Sequence, residues 1–76
     1  MIPLPPFRLV TAPSDARVTS VVDPGAEVAP GDVVAVLDAP RGRVPVLAPV
    51  GGRVGGALTG AQQAVAAGDG LLWIER

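Results

Sequence analysis

The apolar residues of this chain lie in short runs that glycine and proline interrupt. Residues 33–37 are apolar at five consecutive positions, which predicts a strand buried on both faces. Shorter β-favouring segments lie at residues 17–22, 44–47 and 71–74, and turn-forming sequences such as Asp23-Pro24-Gly25 separate them. Short strands at regular intervals, with turn signals between them, predict an all-β sandwich or barrel.

Two copies of one pattern organise the sequence. Each copy contains Arg-Val, a strand's length of residues, Gly, Val, then Gly-Asp and an apolar run closed by an acidic residue. The matched pairs are Arg17 with Arg53, Val18 with Val54, Gly25 with Gly60, Val28 with Val65, Gly31 with Gly68, Asp32 with Asp69, Leu37 with Ile74, and Asp38 with Glu75. A solenoid needs more stacked units than two. The repeat therefore predicts two intertwined halves around a pseudo-two-fold axis.

Residues 61–67 have a composition typical of a helix, and Gly68 would suit its C-terminal cap. Two helical turns alone are marginal in water. The repeat match at Val65, Gly68 and Asp69 favours a loop or a single turn instead, and we expect that outcome.

The length of 76 residues allows a single domain with a small core. Phe7 and Trp73 are its only aromatic residues, so the core must consist mainly of Val, Leu and Ala. Nine prolines include Pro3, Pro5 and Pro6, which predict an extended arm over residues 1–15 ahead of a domain over residues 16–76. Such an arm would either lie along the barrel or pair with a neighbouring molecule.

The charges and the missing residue types exclude several functions. Six basic and seven acidic side chains give a net charge of −1 without runs of either sign, which argues against a nucleic-acid or membrane partner. The chain has no cysteine and no histidine, so we expect no metal site and no catalytic residue. It has neither an apolar run long enough to span a bilayer nor a secretion signal, and we expect a cytoplasmic protein.

The centre of the chain resembles the core of biotinyl and lipoyl carrier domains. In those families an acidic and a small residue lead into a hairpin whose tip carries the modified lysine. Asp38-Ala39 leads into such a hairpin here, and Ala48-Pro49 and a glycine-valine turn follow it. The resemblance extends over residues 16–75. It implies a flattened β-barrel or sandwich hybrid of the biotinyl/lipoyl type, with a pseudo-two-fold repeat.

The hairpin tip departs from the family pattern. Arg41 stands at the position of the modified lysine, and Pro40 and Gly42 replace flanking residues that are usually methionine in biotin carriers. A guanidinium stays protonated and cannot become the acylated amine. Because the chain contains no lysine at all, we expect no biotin, no lipoate and no other cofactor. An engineered replacement of lysine by arginine would explain Arg41 but neither Pro40 nor Gly42.

The carboxylates invite an acid-base hypothesis, because Asp32 and Asp69 occupy equivalent repeat positions, as do Asp38 and Glu75. Duplication instead favours a role in turns, where an aspartate accepts hydrogen bonds from backbone N–H groups. The chain supplies no companion nucleophile, so we expect the structural role. Arg17 and Arg53 are expected to make matching contacts at strand edges.

Three side chains are candidates for contact with a partner. Arg41 and Arg43 flank a glycine at the expected hairpin tip, where they would either bind a carboxylate or phosphate or form a solvated turn. We favour the solvated turn. Trp73 is expected to be an anchor of the core or of an interface, and an exposed Trp73 would indicate a partner site.

These features predict a non-catalytic binding or assembly module that cannot be biotinylated or lipoylated. Its partner would be a protein, with carboxylase or acyltransferase machinery as the candidates. The alternative is a structural protein that associates with itself through sheet edges or the proline-rich arm. An enzyme is the least favoured of the three hypotheses, since His, Cys and Lys are all missing.

Overall fold

A computed structural model describes residues 6–76, in which every regular element is a β-strand. The strands are β1 (Phe7–Thr11), β2 (Ala16–Val21), β3 (Glu27–Val28), β4 (Val33–Ala39), β5 (Gly42–Leu47), β6 (Gly52–Ala57), β7 (Ala64–Val65) and β8 (Gly70–Glu75). They form two antiparallel sheets, with strand orders β1-β8-β6-β3 and β5-β4-β2-β7. The two sheets enclose one common core, as in a flattened barrel, which confirms the predicted fold class. Residues 61–67 form a turn and β7, as the repeat predicts.

The two halves of the chain are related by a pseudo-two-fold axis. When β1, β2, β3 and β4 are exchanged with β5, β6, β7 and β8, respectively, the strand order of one sheet becomes that of the other. The hydrogen bonds follow the same relation, because the N–H of Gly25 donates to the carbonyl of Val54 and the N–H of Gln62 donates to that of Val18, both at 2.7 Å. Each half thus contributes a turn to the other, which confirms that the halves are intertwined.

One pair in the predicted repeat is shifted by two residues. Gln62, and not Gly60, occupies the position equivalent to Gly25: both have positive φ, 72° at Gln62 and 88° at Gly25. Gly60 lies at the position of Asp23, since both carbonyls accept the same kind of hydrogen bond within their turns. Sequence matching selected the glycine, whereas the backbone places a glutamine in the left-handed region.

Small aliphatic side chains fill the space between the sheets. The buried residues are Val10, Ala12, Val18, Val34, Ala35, Leu37, Val46, Ala48, Val54, Val65, Leu71, Leu72 and Ile74. The expectation that residues 33–37 are buried on both faces is only partly correct, since Val33 is 52% exposed. The register of β4 against β5 shifts between Val33 and Ala35, and this irregularity leaves Val33 outside the core.

The barrel begins before the predicted boundary at residue 16. Strand β1 pairs with β8 along its whole length, and both Val10 and Ala12 are part of the core. Residues 7–12 are therefore part of the barrel, because they pair with β8 and because Val10 and Ala12 help to fill the core. The prediction of an extended arm at Pro3 and Pro5 concerns residues outside those described. No helix within residues 6–76 has the length and apolar character needed to cross a membrane.

We predict that Gln62→Gly stabilises the protein by about 1 kcal/mol, because a side chain in the left-handed region costs about that much. The reciprocal change Gly25→Gln should destabilise it by a similar amount, since the φ of Gly25 is 88°. Urea unfolding of both variants measures these differences. Equal destabilisation by the two substitutions would contradict the equivalence of the two turns.

Candidate functional site

A tight hairpin carries Pro40, Arg41 and Gly42, the residues predicted to form a hairpin tip. Ala39 pairs with Gly42, so Pro40 and Arg41 alone form the loop between β4 and β5. Proline fixes its own φ near the value that such a turn requires, and Gly42 has a φ of 127°, which side-chain-bearing residues rarely adopt. Pro40, Arg41 and Gly42 are all exposed. The chain therefore turns at these residues, while their correspondence to an attachment site stays a prediction.

The tip carries one unpaired positive charge. Within residues 6–76, the guanidinium of Arg41 donates no hydrogen bond and lies in no ion pair. Arg43 lies one position further down the stem and pairs in register with Asp38 on β4, so a carboxylate faces it across the hairpin. Arg41 is thus free for a partner's anionic group, whereas Arg43 has a carboxylate-bearing residue opposite it in register.

Trp73 lies on the outer face of the other sheet and is half-buried there. In register it has Leu9 of β1 on one side and Gly56 of β6 on the other. Its indole covers the glycine pair, because a Cβ atom added at Gly56 would lie 2.5 Å from its Cη2 atom and one at Gly55 would overlap its Nε1. Trp73 is therefore not a core residue, and the two glycines provide the space in which it lies flat.

The candidate residues do not form a single site. Arg41 and Arg43 belong to the sheet that contains β4 and β5, and Trp73 belongs to the sheet that contains β8. A partner that contacts the hairpin and a partner that contacts Trp73 would approach different sheets. The predicted contact residues are thus two separate surfaces.

The paired aspartates have the structural role that their duplication predicts. The carboxylate of Asp32 accepts a hydrogen bond from the N–H of Ala29 at 2.8 Å, and Asp69 accepts one from Ala66 at 2.9 Å. Each side chain thus closes its own turn. Across residues 6–76 there is no group of three or more acidic side chains placed to hold a metal ion.

The two equivalent arginines make different contacts. Arg17 donates to the backbone carbonyl of Gln62 at 2.7 Å, whereas Arg53 lies 3.8 Å from the carboxylate of Glu27. Both link a long strand to the short segment beside it. The expectation of matching edge contacts therefore holds for position but not for chemistry. Arg53 and Glu27 also line a surface concavity of about 480 Å³ together with Val28, Gly52, Glu75 and Arg76.

Sequence analysis missed an apolar surface around Trp73. Phe7, Leu9 and Leu58 are 59%, 45% and 52% exposed. Leu9 and Leu58 converge over Gly70, where a Cβ atom would lie 3.3 Å from the nearest Leu9 methyl and 2.8 Å from that of Leu58. We refer to Phe7, Leu9, Leu58 and Trp73 as the outer apolar cluster. Both aromatic residues of the chain belong to this cluster. The sequence signal that could have revealed it is the spacing of Phe7 and Leu9, which places both side chains on one face of β1.

Comparisons with known proteins agree with this architecture. No family model and no curated protein sequence matches the chain. Among solved structures, a single-chain, multi-domain long-chain acyl-CoA carboxylase matches all of it at 28% identity with a TM-score of 0.88. The urea carboxylase of Kluyveromyces lactis matches 97% at 25% identity with a TM-score of 0.85. The ectoine utilization protein EutE (DoeB) of Ruegeria pomeroyi matches 87% at 25% identity with a TM-score of 0.69.

The chain corresponds to a small part of these larger proteins. It spans 8% of the acyl-CoA carboxylase, 7% of the urea carboxylase and 21% of the ectoine utilization protein. Its fold is the flattened barrel-sandwich hybrid of the biotinyl/lipoyl type, as the resemblance in the sequence implies.

We predict that Gly56→Ala lifts the indole of Trp73 off β6, since the added methyl group would overlap it. The variant should lose about 1–3 kcal/mol of stability, and its tryptophan emission should shift to the red. Trp73 is the only tryptophan, so fluorescence reports on it directly. Gly60→Ala is the matched control, because nothing lies within 4 Å of its added Cβ atom. An unchanged emission spectrum for Gly56→Ala would contradict the described packing.

Proposed function

We propose that this chain is a non-catalytic module of the biotinyl/lipoyl type that binds to carboxylase machinery and carries neither biotin nor lipoate. The observation that carries this proposal is the hairpin between β4 and β5. Its tip is formed and exposed, but the residue at the attachment position is Arg41. The module thus keeps the shape of a carrier without the group that a carrier uses.

The chemistry of the tip supports the loss of the carrier role. Attachment needs an amine that loses its proton and becomes an amide, and a guanidinium remains protonated at biological pH. The chain has no lysine elsewhere that a ligase would accept. A binding role needs only the charge and shape of the tip, both of which Arg41 supplies through its five N–H donors.

Association with carboxylases is supported by the structural neighbours. Two of the matched structures are carboxylases, and the chain superposes on a small part of each with TM-scores of 0.88 and 0.85. A carrier-shaped domain must be recognised by the enzyme that it serves. We infer that this chain uses such a recognition surface, with carboxylase machinery favoured over acyltransferase machinery.

A catalytic role for the chain itself has no chemical support. The residues that most often act as nucleophile or general base, His, Cys and Lys, are missing from the sequence. The carboxylates of Asp32 and Asp69 are engaged in closing turns. We therefore propose that any catalysis belongs to the partner.

We predict that the protein gains no mass when it is co-expressed with a biotin ligase or a lipoyl ligase. The double variant Pro40→Met, Arg41→Lys should gain one biotinyl group, because the hairpin tip is exposed and would then present a lysine after a methionine, while Gly42 keeps its φ of 127°. Intact-mass spectrometry distinguishes the two proteins.

Arg41→Lys alone is the matched intermediate in that experiment, and it separates the need for lysine from the need for a methionine before it. A mass increase for the unaltered protein would contradict the proposal directly. A double variant that folds but stays unmodified would show that the tip lacks the geometry of a carrier.

We further predict that the module binds a biotin-dependent carboxylase purified from the same organism, and that Arg41→Ala weakens this binding about tenfold. A charged hydrogen bond to an anionic group is worth about 1.5–3 kcal/mol, which corresponds to at least that factor. Isothermal titration calorimetry measures the affinity. Trp73→Ala, measured in parallel, tests the second surface.

Arg8→Ala is the control in the binding experiment, because Arg8 is also an exposed arginine but lies on β1, away from the hairpin. Equal weakening by Arg8→Ala and Arg41→Ala would indicate a general charge effect and not docking at the tip. Loss of binding at high salt for the unaltered protein is expected, since the contact is electrostatic.

A further inference from the structure

We propose that β1 is a pairing edge for a second copy of this chain, so that two barrels join through antiparallel β1 strands. This inference is independent of the proposed function. It begins from the four edge strands of the described residues, which are β1, β3, β5 and β7. Natural sheets protect their edges with short strands, prolines or charges, because unpaired edges accept other strands.

Three of these edges are protected by short length or by proline, whereas β1 has five residues, no proline and a single charged residue, Arg8. Strands β3 and β7 contain two residues each, and β5 contains Pro45, which has no N–H to donate. The position of Pro45 on β5 is equivalent to that of Leu9 on β1, since Pro45 pairs with Val36 and Leu9 pairs with Trp73 in the corresponding sheets. Proline thus prevents edge pairing at this position in β5, whereas Leu9 keeps a backbone N–H group at the same position in β1.

The free backbone groups of β1 can be assigned from its ladder with β8. The N–H of Arg76 donates to the carbonyl of Pro6 at 3.1 Å, so Pro6 and Arg76 form a hydrogen-bonded pair. Hydrogen-bonded and non-hydrogen-bonded pairs alternate along an antiparallel ladder. The N–H and carbonyl groups of Phe7 and Leu9 therefore point away from β8, toward the open edge. Beyond the register shift after Val10, Ala12 again bonds to residues 68 and 69, so the groups of Thr11 point outward as well.

A second copy fits this edge in a self-complementary register. When Leu9 lies opposite Leu9 of the other copy, Phe7 lies opposite Thr11 and Arg8 lies opposite Val10. Residues 7, 9 and 11 of each copy then face one another in hydrogen-bonded pairs, which gives about six new backbone hydrogen bonds. No two arginines lie opposite each other in this register, whereas a pairing centred on Arg8 would place like charges together.

The side chains beside the edge favour the same occupant. Phe7 and Leu9 are 59% and 45% exposed and lie on the outer face of the sheet. Across the two-fold axis of such a dimer, the two outer apolar clusters become one continuous apolar surface, so each copy covers part of the other. The net charge of −1 opposes the approach of two copies only weakly. A five-residue edge is small for an interface, so the dimer should dissociate on dilution.

The first test measures mass against concentration by sedimentation equilibrium for the unaltered protein and for Leu9→Pro. The N–H of Leu9 points away from β8, so proline there removes an edge donor without breaking the ladder, as Pro45 already does in the other half. We expect a reversible dimer whose dissociation constant rises at least tenfold in Leu9→Pro. A monomer at every concentration, or a dimer unaffected by Leu9→Pro, would overturn the proposal.

A thiol test decides the question if Leu9→Pro fails to fold. The chain has no cysteine, so Leu9→Cys introduces a single thiol. Residues opposite each other in a hydrogen-bonded pair have Cα atoms about 5.5 Å apart, within the range of a disulfide. Leu9→Cys should therefore form a disulfide-linked dimer under mild oxidation.

Leu47→Cys is the matched control for the thiol test, since Leu47 is 51% exposed on β5 and belongs to the other sheet. Equal cross-linking rates for the two variants would contradict the dimer. A monomeric protein in which Leu9→Pro reduces binding to the carboxylase would also contradict it, and would assign the edge to a strand of the partner.

Discussion

The exchange of hydrogen bonds between the two halves is the constraint on which the rest of the structure depends. The turn after β2 donates from Gly25 to Val54 of β6, and the turn after β6 donates from Gln62 to Val18 of β2. Val18 and Val54 are themselves fully buried at equivalent positions. Only the pairings of β2 with β4 and of β6 with β8 lie within one half, and the other four strand pairings join the halves. The core likewise takes side chains from both halves. The barrel therefore forms only when both halves are present. Because the halves complete each other, a chain of this size can form a stable barrel without a buried aromatic residue.

Equivalent positions solve the same hydrogen-bonding problem in different ways. The N–H of Ala67 donates to the carboxylate of Asp15 at 2.8 Å. The equivalent of Ala67 in the first half is Pro30, which has no N–H group. No acceptor is needed there, and the position equivalent to Asp15 is Gly51, where a Cβ atom would lie 3.2 Å from the ring of Pro30. One half thus has a donor at Ala67 with an acceptor at Asp15, and the other half has a proline without a donor beside a glycine without a side chain.

The parts of the fold that sequence analysis predicted are those set by local chemistry. Asp32 and Asp69 each accept a hydrogen bond from a backbone group three residues earlier, so the same residue recurs wherever the turn recurs. The positive φ of Gln62 was not predictable, because contacts with the other half impose it on a residue that does not favour it. Whether Trp73 lies in the core or on the surface could not be predicted for a similar reason. Its outward position depends on the glycine pair of β6, whose significance appears only when β6 lies beside β8.

The pseudo-symmetry of the two halves is broken at the hairpin between β4 and β5 and at the open edge of β1. Strands β4 and β5 pair as β8 and β1 do, but Pro40 and Arg41 join the first pair, whereas in the second pair the ladder continues to Pro6 and Arg76 without a loop. Several buried positions carry the same residue in both halves, such as Val18 and Val54, and all of them stay aliphatic. Differences are tolerated at the loop and along the edges, where side chains meet solvent. Surfaces for a partner should therefore lie where the halves differ, and the hairpin tip and β1 are the places where they differ most.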